Sequence, residues 1–158
     1  MKNHHYHLEL NWTGNLGQGT KTYRSYERSY SISINGKPIL HGSSDPAFRG
    51  DASKYNPEEL FLMSVSSCHM LWYLHLCAEA GIVVISYADR ATGKMEENQD
   101  GSGKFTEVVL HPKVKITNSV MQEKANELHK KANEMCFIAN SCNFPITHKP
   151  ECMSVKDI

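Results

Sequence analysis

From Leu60 to Cys77 the chain is apolar on nearly every side and carries no Asp, Glu, Lys or Arg. The run opens on Asn56-Pro57-Glu58-Glu59, which predicts a helix start: Asn56 as N-cap, Pro57 at the first helical position, and Glu59 reaching back to the Asn56 amide in a capping box. Gly81 supplies a stop. A helix that is apolar all round has to be surrounded. It is about long enough to cross a bilayer at about 1.5 Å per residue, but Ser64, Ser66, Ser67, His69 and His75 interrupt it and no basic cluster sets an orientation. It is therefore read as the core of a globular protein.

Elsewhere alternation predicts sheet. Leu8-Glu9-Leu10-Asn11-Trp12 reads as a strand, and the glycine-rich turn from Gly14 to Gly19 leads into Thr20-Lys21-Thr22-Tyr23. Residues 29–34, the Asn35-Gly36 turn and Pro38-Ile39-Leu40 read as a hairpin. A polar loop over 41–55 holds Asp45-Pro46 and Arg49-Gly50-Asp51. Sheet resumes at 82–88, and 91–95 with 104–116 bracket the turn Asp100-Gly101-Ser102-Gly103 as another hairpin. A second helix begins near Ser119, with Gln122 at the capping-box spacing. Its apolar stripe is Ala125, Leu128, Ala132, Met135, Cys136 and Ala139, with Lys124, Lys130 and Lys131 outside it. Residues 153–155 add a last short strand. Strands, helix, strands, helix, strand in that order predict an α+β fold.

Composition narrows the function. The 158 residues fit one domain, 1–158. Lys plus Arg equals Asp plus Glu at 17 each, so there is no electrostatic footprint for nucleic acid or an anionic membrane. The start, Met1-Lys2-Asn3-His4-His5-Tyr6-His7, lacks the apolar run of a secretory signal, and a cytoplasmic location is expected. Five cysteines without a CxxC pair point to reduced thiols rather than a disulfide framework. His4, His5, His7, Cys142, His148 and Cys152 show no spacing typical of structural zinc, so no metal is expected.

Cys68 and Cys136 each lie on the inward side of a predicted helix, and two such helices can pack over the sheet. A thiol that reduces a peroxide becomes a sulfenic acid and needs a second thiol to condense with it. The bland alternative is that both cysteines act as small hydrophobes. Cys77, about two and a half turns along the same helix, is too far from Cys68 for a disulfide. His69 reads as a buried structural histidine, Trp72 and Tyr73 as core area or a pocket wall, and Cys152 as incidental.

Asn56-Pro57-Glu58-Glu59-Leu60 followed by Ser67-Cys68 resembles the first signature of the OsmC/Ohr family of thiol peroxidases. Met135-Cys136-Phe137-Ile138-Ala139-Asn140-Ser141 resembles the second. The resemblance implies an intertwined homodimer with two long helices packed on antiparallel sheets. It also implies an organic hydroperoxide as substrate, Cys68 as the attacking thiol and Cys136 as the resolving one. No bound cofactor is implied, only an external dithiol reductant such as a lipoyl group, and neither nucleic acid nor membrane is a partner. Burial works against a thiolate, and Cys68 lies too far from its helix N-terminus for the end dipole to help. In the OsmC branch an arginine of the loop before the helix approaches the thiolate, held by a glutamate. Those positions here are Arg49 and Glu58, although a first-turn glutamate is also common as dipole compensation. The Ohr branch carries its arginine in the N-terminal glycine turn, which has none here. Phe137 stands where many members have proline after the resolving cysteine, so Cys142 stays open as a competing resolving thiol. A non-catalytic dimer that senses hydroperoxide or binds a small ligand is the alternative function.

Overall fold

The computed structural model describes residues 2–155. The chain divides into two compact units after Phe61, within the first turns of a long helix. The N-terminal unit is an antiparallel meander of β1 (Glu9–Trp12), β2 (Tyr30–Ser33) and β3 (Leu40–Gly42), with Leu10 opposite Ile32 and Ile32 opposite Leu40. The predicted hairpin turns at Gly36, whose φ of 75° favours glycine. Residues 20–23 do not form the expected strand. They make tight turns, closed by the Ser25 amide on the Thr22 carbonyl at 3.1 Å and by an isolated bridge between Asn15 and Tyr26.

The long helix α1 (Pro57–Glu79) starts as its sequence requires. The Glu59 amide donates to Asn56 Oδ1 at 2.8 Å, and the Asn56 amide donates to Glu59 Oε2 at 3.1 Å, which is the reciprocal capping box. It ends at Gly81, whose φ is 70°, with the Ile82 amide returning to the Cys77 carbonyl at 2.8 Å. Only one stripe of α1 is fully buried: Val65, His69, Tyr73 and Cys77, at strict i, i+4 spacing. Leu71 on another face is 63% exposed. Within one chain the helix is thus covered along a single face, not surrounded.

In the C-terminal unit, β4 (Val84–Asp89) pairs antiparallel with β7 (Pro112–Ile116), and β7 pairs parallel with β9 (Glu151–Ser154). A second sheet orders β5 (Thr92–Glu97), β6 (Gly103–Leu110) and β8 (Ile146–His148). The stretch 104–116, expected to run as one strand, is therefore two strands in different sheets. The chain switches at His111, whose amide leaves the ladder to donate to Asp89 Oδ1 at 2.7 Å, and Pro112 beyond it has no amide proton to continue the pairing. β8, not expected from sequence, is three residues long and too short to show alternation.

The second helix, α2 (Gln122–Met135), is preceded by a 3-10 turn, Ser119–Met121. That turn is capped by Asn118, whose Oδ1 accepts from the Val120 amide at 3.1 Å, and α2 itself starts without the expected Ser119 cap. Gln122 bonds the Cys152 carbonyl at 2.7 Å instead of closing a capping box. Ala125, Leu128 and Ala132 of α2 meet Tyr73 and Cys77 of α1, Ile82, Val114 and Ile116 from the sheet side, and Cys152 of β9 in one buried cluster. The Leu, Ile and Val side chains of this cluster each contribute about 1.5–3 kcal/mol when removed from water. A four-residue helix, α3 (Phe137–Asn140), follows α2 directly.

Candidate active site

Cys136 sits at the junction of α2 and α3, where its extended backbone, φ −70° and ψ 109°, ends one helix and caps the next. Its sulfur accepts from the Ala139 amide at 3.4 Å. The residue is buried, and its thiol neighbours that of Cys68, which comes from the middle of α1 and is half-buried. Burial first, and the neighbouring Cys68 thiol second, push the Cys136 thiol up from its ordinary range. Both cysteines are free thiols. The fold thus joins the two expected residues across 68 positions of sequence, an accessible thiol against an enclosed one. Cys142 takes another partner: its thiol donates to the Ile138 carbonyl at 3.2 Å. Cys77 and Cys152 lie in the buried cluster below.

Three and four residues on from Cys68, and again at seven, α1 presents Leu71, Trp72 and His75, which share its flank by helical spacing. They line an open cavity of 310 Å³. The Trp72 ring meets Phe137 edge-on at 5.8 Å and His75 at 5.7 Å, so Phe137, the residue after Cys136, braces this wall.

In the N-terminal unit the loop before α1 is tightly wound. Asp45 caps a 3-10 turn, Pro46–Phe48, with its Oδ1 on the Ala47 amide at 2.7 Å, and its carbonyl accepts from the Phe48 and Gly50 amides. A Cβ on Gly50 would lie 1.5 Å from the Ser44 carbonyl oxygen, so only glycine fits there. Arg49 between them has φ 64°, and among the described residues it is the one non-glycine in the left-handed region. That conformation costs about 1–2 kcal/mol for an L-residue. Arg49 caps the turn with its amide on the Pro46 carbonyl at 3.0 Å, and it lines a cavity of 240 Å³ together with Glu27, Arg28, Ser43 and Asp51. Arg28 is committed elsewhere: its guanidinium donates to the Tyr23 and Tyr26 carbonyls, both at 2.6 Å, and stacks between the Tyr23 and Tyr26 rings. Among the described residues Arg49 forms no ion pair, with Glu58 or any other carboxylate. Glu58 lies in the first turn of α1 with Oε2 buried and unpartnered, and its charge helps to raise the Tyr30 phenol after burial has done so.

Beside the thiols His69 is buried, as its sequence position predicts, but with a partner that sequence reasoning missed. His69 Nε2 and His129 Nδ1 are 3.0 Å apart, and the His129 ring stacks on Tyr73 at 3.8 Å. The His148 ring stands 5.5 Å from that of His69. The signal was available for His129, which shares the α2 stripe with Ala125 and Ala132. Among the described residues no group of His, Cys, Asp and Glu is arranged to hold a metal ion.

Residues 50–151 match the family described as OsmC-like protein. The chain belongs to the OsmC-like family. It is similar to an OsmC-like protein of unknown function from Vibrio cholerae, with 28% identity, a TM-score of 0.84 and coverage of 94% of this chain and 100% of that one. An organic hydroperoxide resistance protein from Elizabethkingia anophelis shares the fold at 22% identity and a TM-score of 0.68, covering 98% and 99% of the two chains. A Bacillus subtilis organic hydroperoxide resistance protein does so at 20% and 0.61, over 94% and 98%. An uncharacterised Bacillus subtilis protein is 23% identical over 144 residues, 89% of this chain and 88% of its own length. The family match includes both cysteines of this OsmC-like chain and Glu58, and it begins one residue after Arg49.

Proposed function

We propose that this OsmC-like protein is a cysteine peroxidase that reduces organic hydroperoxides. The observation that carries the reading is the contact between the Cys68 and Cys136 thiols. Cys68, the accessible member, attacks the terminal peroxide oxygen as a thiolate. The O–O bond breaks, an alcohol leaves, and Cys68 becomes a sulfenic acid. Cys136 then attacks that sulfur, the S–O bond breaks, and water departs with the Cys136 proton as the disulfide forms. An external dithiol, for which a lipoyl group is the family's precedent, reduces it by thiol–disulfide exchange.

Arg49 is assigned to the Cys68 thiolate and Glu58 to holding that guanidinium. The buried, unpartnered carboxylate oxygen of Glu58 supports the pairing, since such an acceptor calls for a donor. The wall of Leu71, Trp72 and His75 on the flank of Cys68 favours an apolar peroxide over hydrogen peroxide.

A second copy of the chain completes the proposal. α1 is apolar enough to cross a membrane by length and composition, yet its buried stripe packs polar His69 and Tyr73 into a protein core. Its uncovered positions, Leu71 and Met63, and the exposed Leu10 and Trp12 of β1 are the surfaces that a homodimer would bury.

Consumption of cumene hydroperoxide with dihydrolipoamide tests the reading. Many equivalents consumed per chain support a peroxidase. A single equivalent assigns the chain to sensing, and none leaves a ligand-binding dimer.

A further inference from the structure

α1 and α2 approach at two neighbouring levels, through the Cys68 and Cys136 thiols and through the hydrogen bond between His69 and His129. The two imidazoles lie within 4° of parallel with centroids 5.3 Å apart, so their 3.0 Å bond runs edge to edge. His69 is 1% exposed and His129 is fully buried. Their outer nitrogens, His69 Nδ1 and His129 Nε2, are buried without a partner, as is His148 Nδ1. His69 adjoins Cys68 in α1, and His129 precedes Cys136 by seven residues, two turns along one face of α2.

We infer that His69 and His129 are positioning residues, a clamp between α1 and α2 that fixes the approach of the Cys68 and Cys136 sulfurs and so sets how readily the disulfide closes. The inference rests on the thiol pair described above, not on peroxide as its oxidant.

The bond forms with both rings neutral. One nitrogen must donate and the other accept, and a second proton would set two N–H groups face to face. A first proton already places a charge in the core. The groups facing the pair are His148 of β8, Tyr73 of α1, and Tyr87 and Asp89 of β4. Asp89 is the one carboxylate among them, and it is engaged by Ser66 at 2.5 Å and by the His111 amide at 2.7 Å. Burial lowers His69 to about 4 and His129 to about 3, with His148 adding to both effects. The rings stay neutral through the physiological range.

Disulfide equilibrium against dithiothreitol provides the test, with the linked peptide quantified by mass spectrometry. At pH 7.5 His129→Phe keeps the stack on Tyr73 but removes the hydrogen bond, and His69→Leu removes the same bond from the other side. Each is expected to lower the Cys68–Cys136 disulfide constant about tenfold, close to 30 mV for a two-electron couple. Alkylation of Cys68 in a Cys136→Ala background should not change, which a general loss of structure would not permit. Variants within twofold of wild type would overturn the clamp. If peroxide fails to oxidise Cys68, the peroxidase reading falls while this measurement stands.

Discussion

Each of the two sulfurs has a separate assignment. Cys68→Ala is expected to abolish hydroperoxide consumption, because the accessible thiol is the one that meets substrate. Cys136→Ala should permit one round of oxidation and leave a sulfenic acid that dimedone labels, seen as a mass adduct on Cys68. An unlabelled Cys68, with Cys142 joined to it instead, would transfer the resolving role to Cys142. Arg49 carries an opposed pair of effects. Arg49→Gly relieves the left-handed backbone, so stability should hold or rise by up to about 1 kcal/mol in urea unfolding. The same substitution should slow iodoacetamide alkylation of Cys68 at neutral pH. A destabilised variant, or one with unchanged alkylation, would contradict this account of the strain.

At the scale of elements, the loop before α1 can be tested without touching a reactive group. Gly50→Ala drives a methyl into the Ser44 carbonyl, and should slow Cys68 alkylation as much as Arg49→Ala does while leaving the helical circular dichroism intact. Equal alkylation by Gly50→Ala and wild-type protein would detach the loop from the thiol. How legible these elements were depended on where their determinants lie. The start of α1 is encoded within four residues, Asn56 to Glu59, and the structure forms the bonds those residues predict. Gly36 and Gly81 likewise marked their turns through backbone freedom alone. The division of 104–116 was hidden because its cause, Asp89 capturing the His111 amide, comes from another strand. The winding of 43–51 around Arg49 was equally invisible, since it depends on a carbonyl contact and a left-handed residue that composition does not announce.

For the whole molecule, the buried histidines set a pH dependence. In the unfolded chain they titrate near 6.5, and in the folded one His69 does so at about 4 and His129 at about 3. The unfolded state therefore binds more protons below about pH 6.5, and stability is complete above that value and lost as pH falls toward 4. His69 alone contributes on the order of 3 kcal/mol of this loss. Urea unfolding across pH 7.5 to 4 should show it, and a flat profile would mean that the histidines are not buried as neutral rings. Sequence placed both cysteines on inward helix faces and resemblance paired them, but Cys68 lies off the buried stripe of α1 and Cys136 in the break after α2, and their approach depends on how α1 and α2 pack. The imidazole bond beside them, 60 residues apart in sequence, was beyond reach for the same reason. The most direct test of the account is to treat the reduced protein with less than one equivalent of cumene hydroperoxide and map its cysteines without reduction. The account predicts a peptide pair linked through Cys68 and Cys136, which dihydrolipoamide then releases. Peroxide that leaves Cys68 a free thiol, or links other cysteines instead, would contradict it.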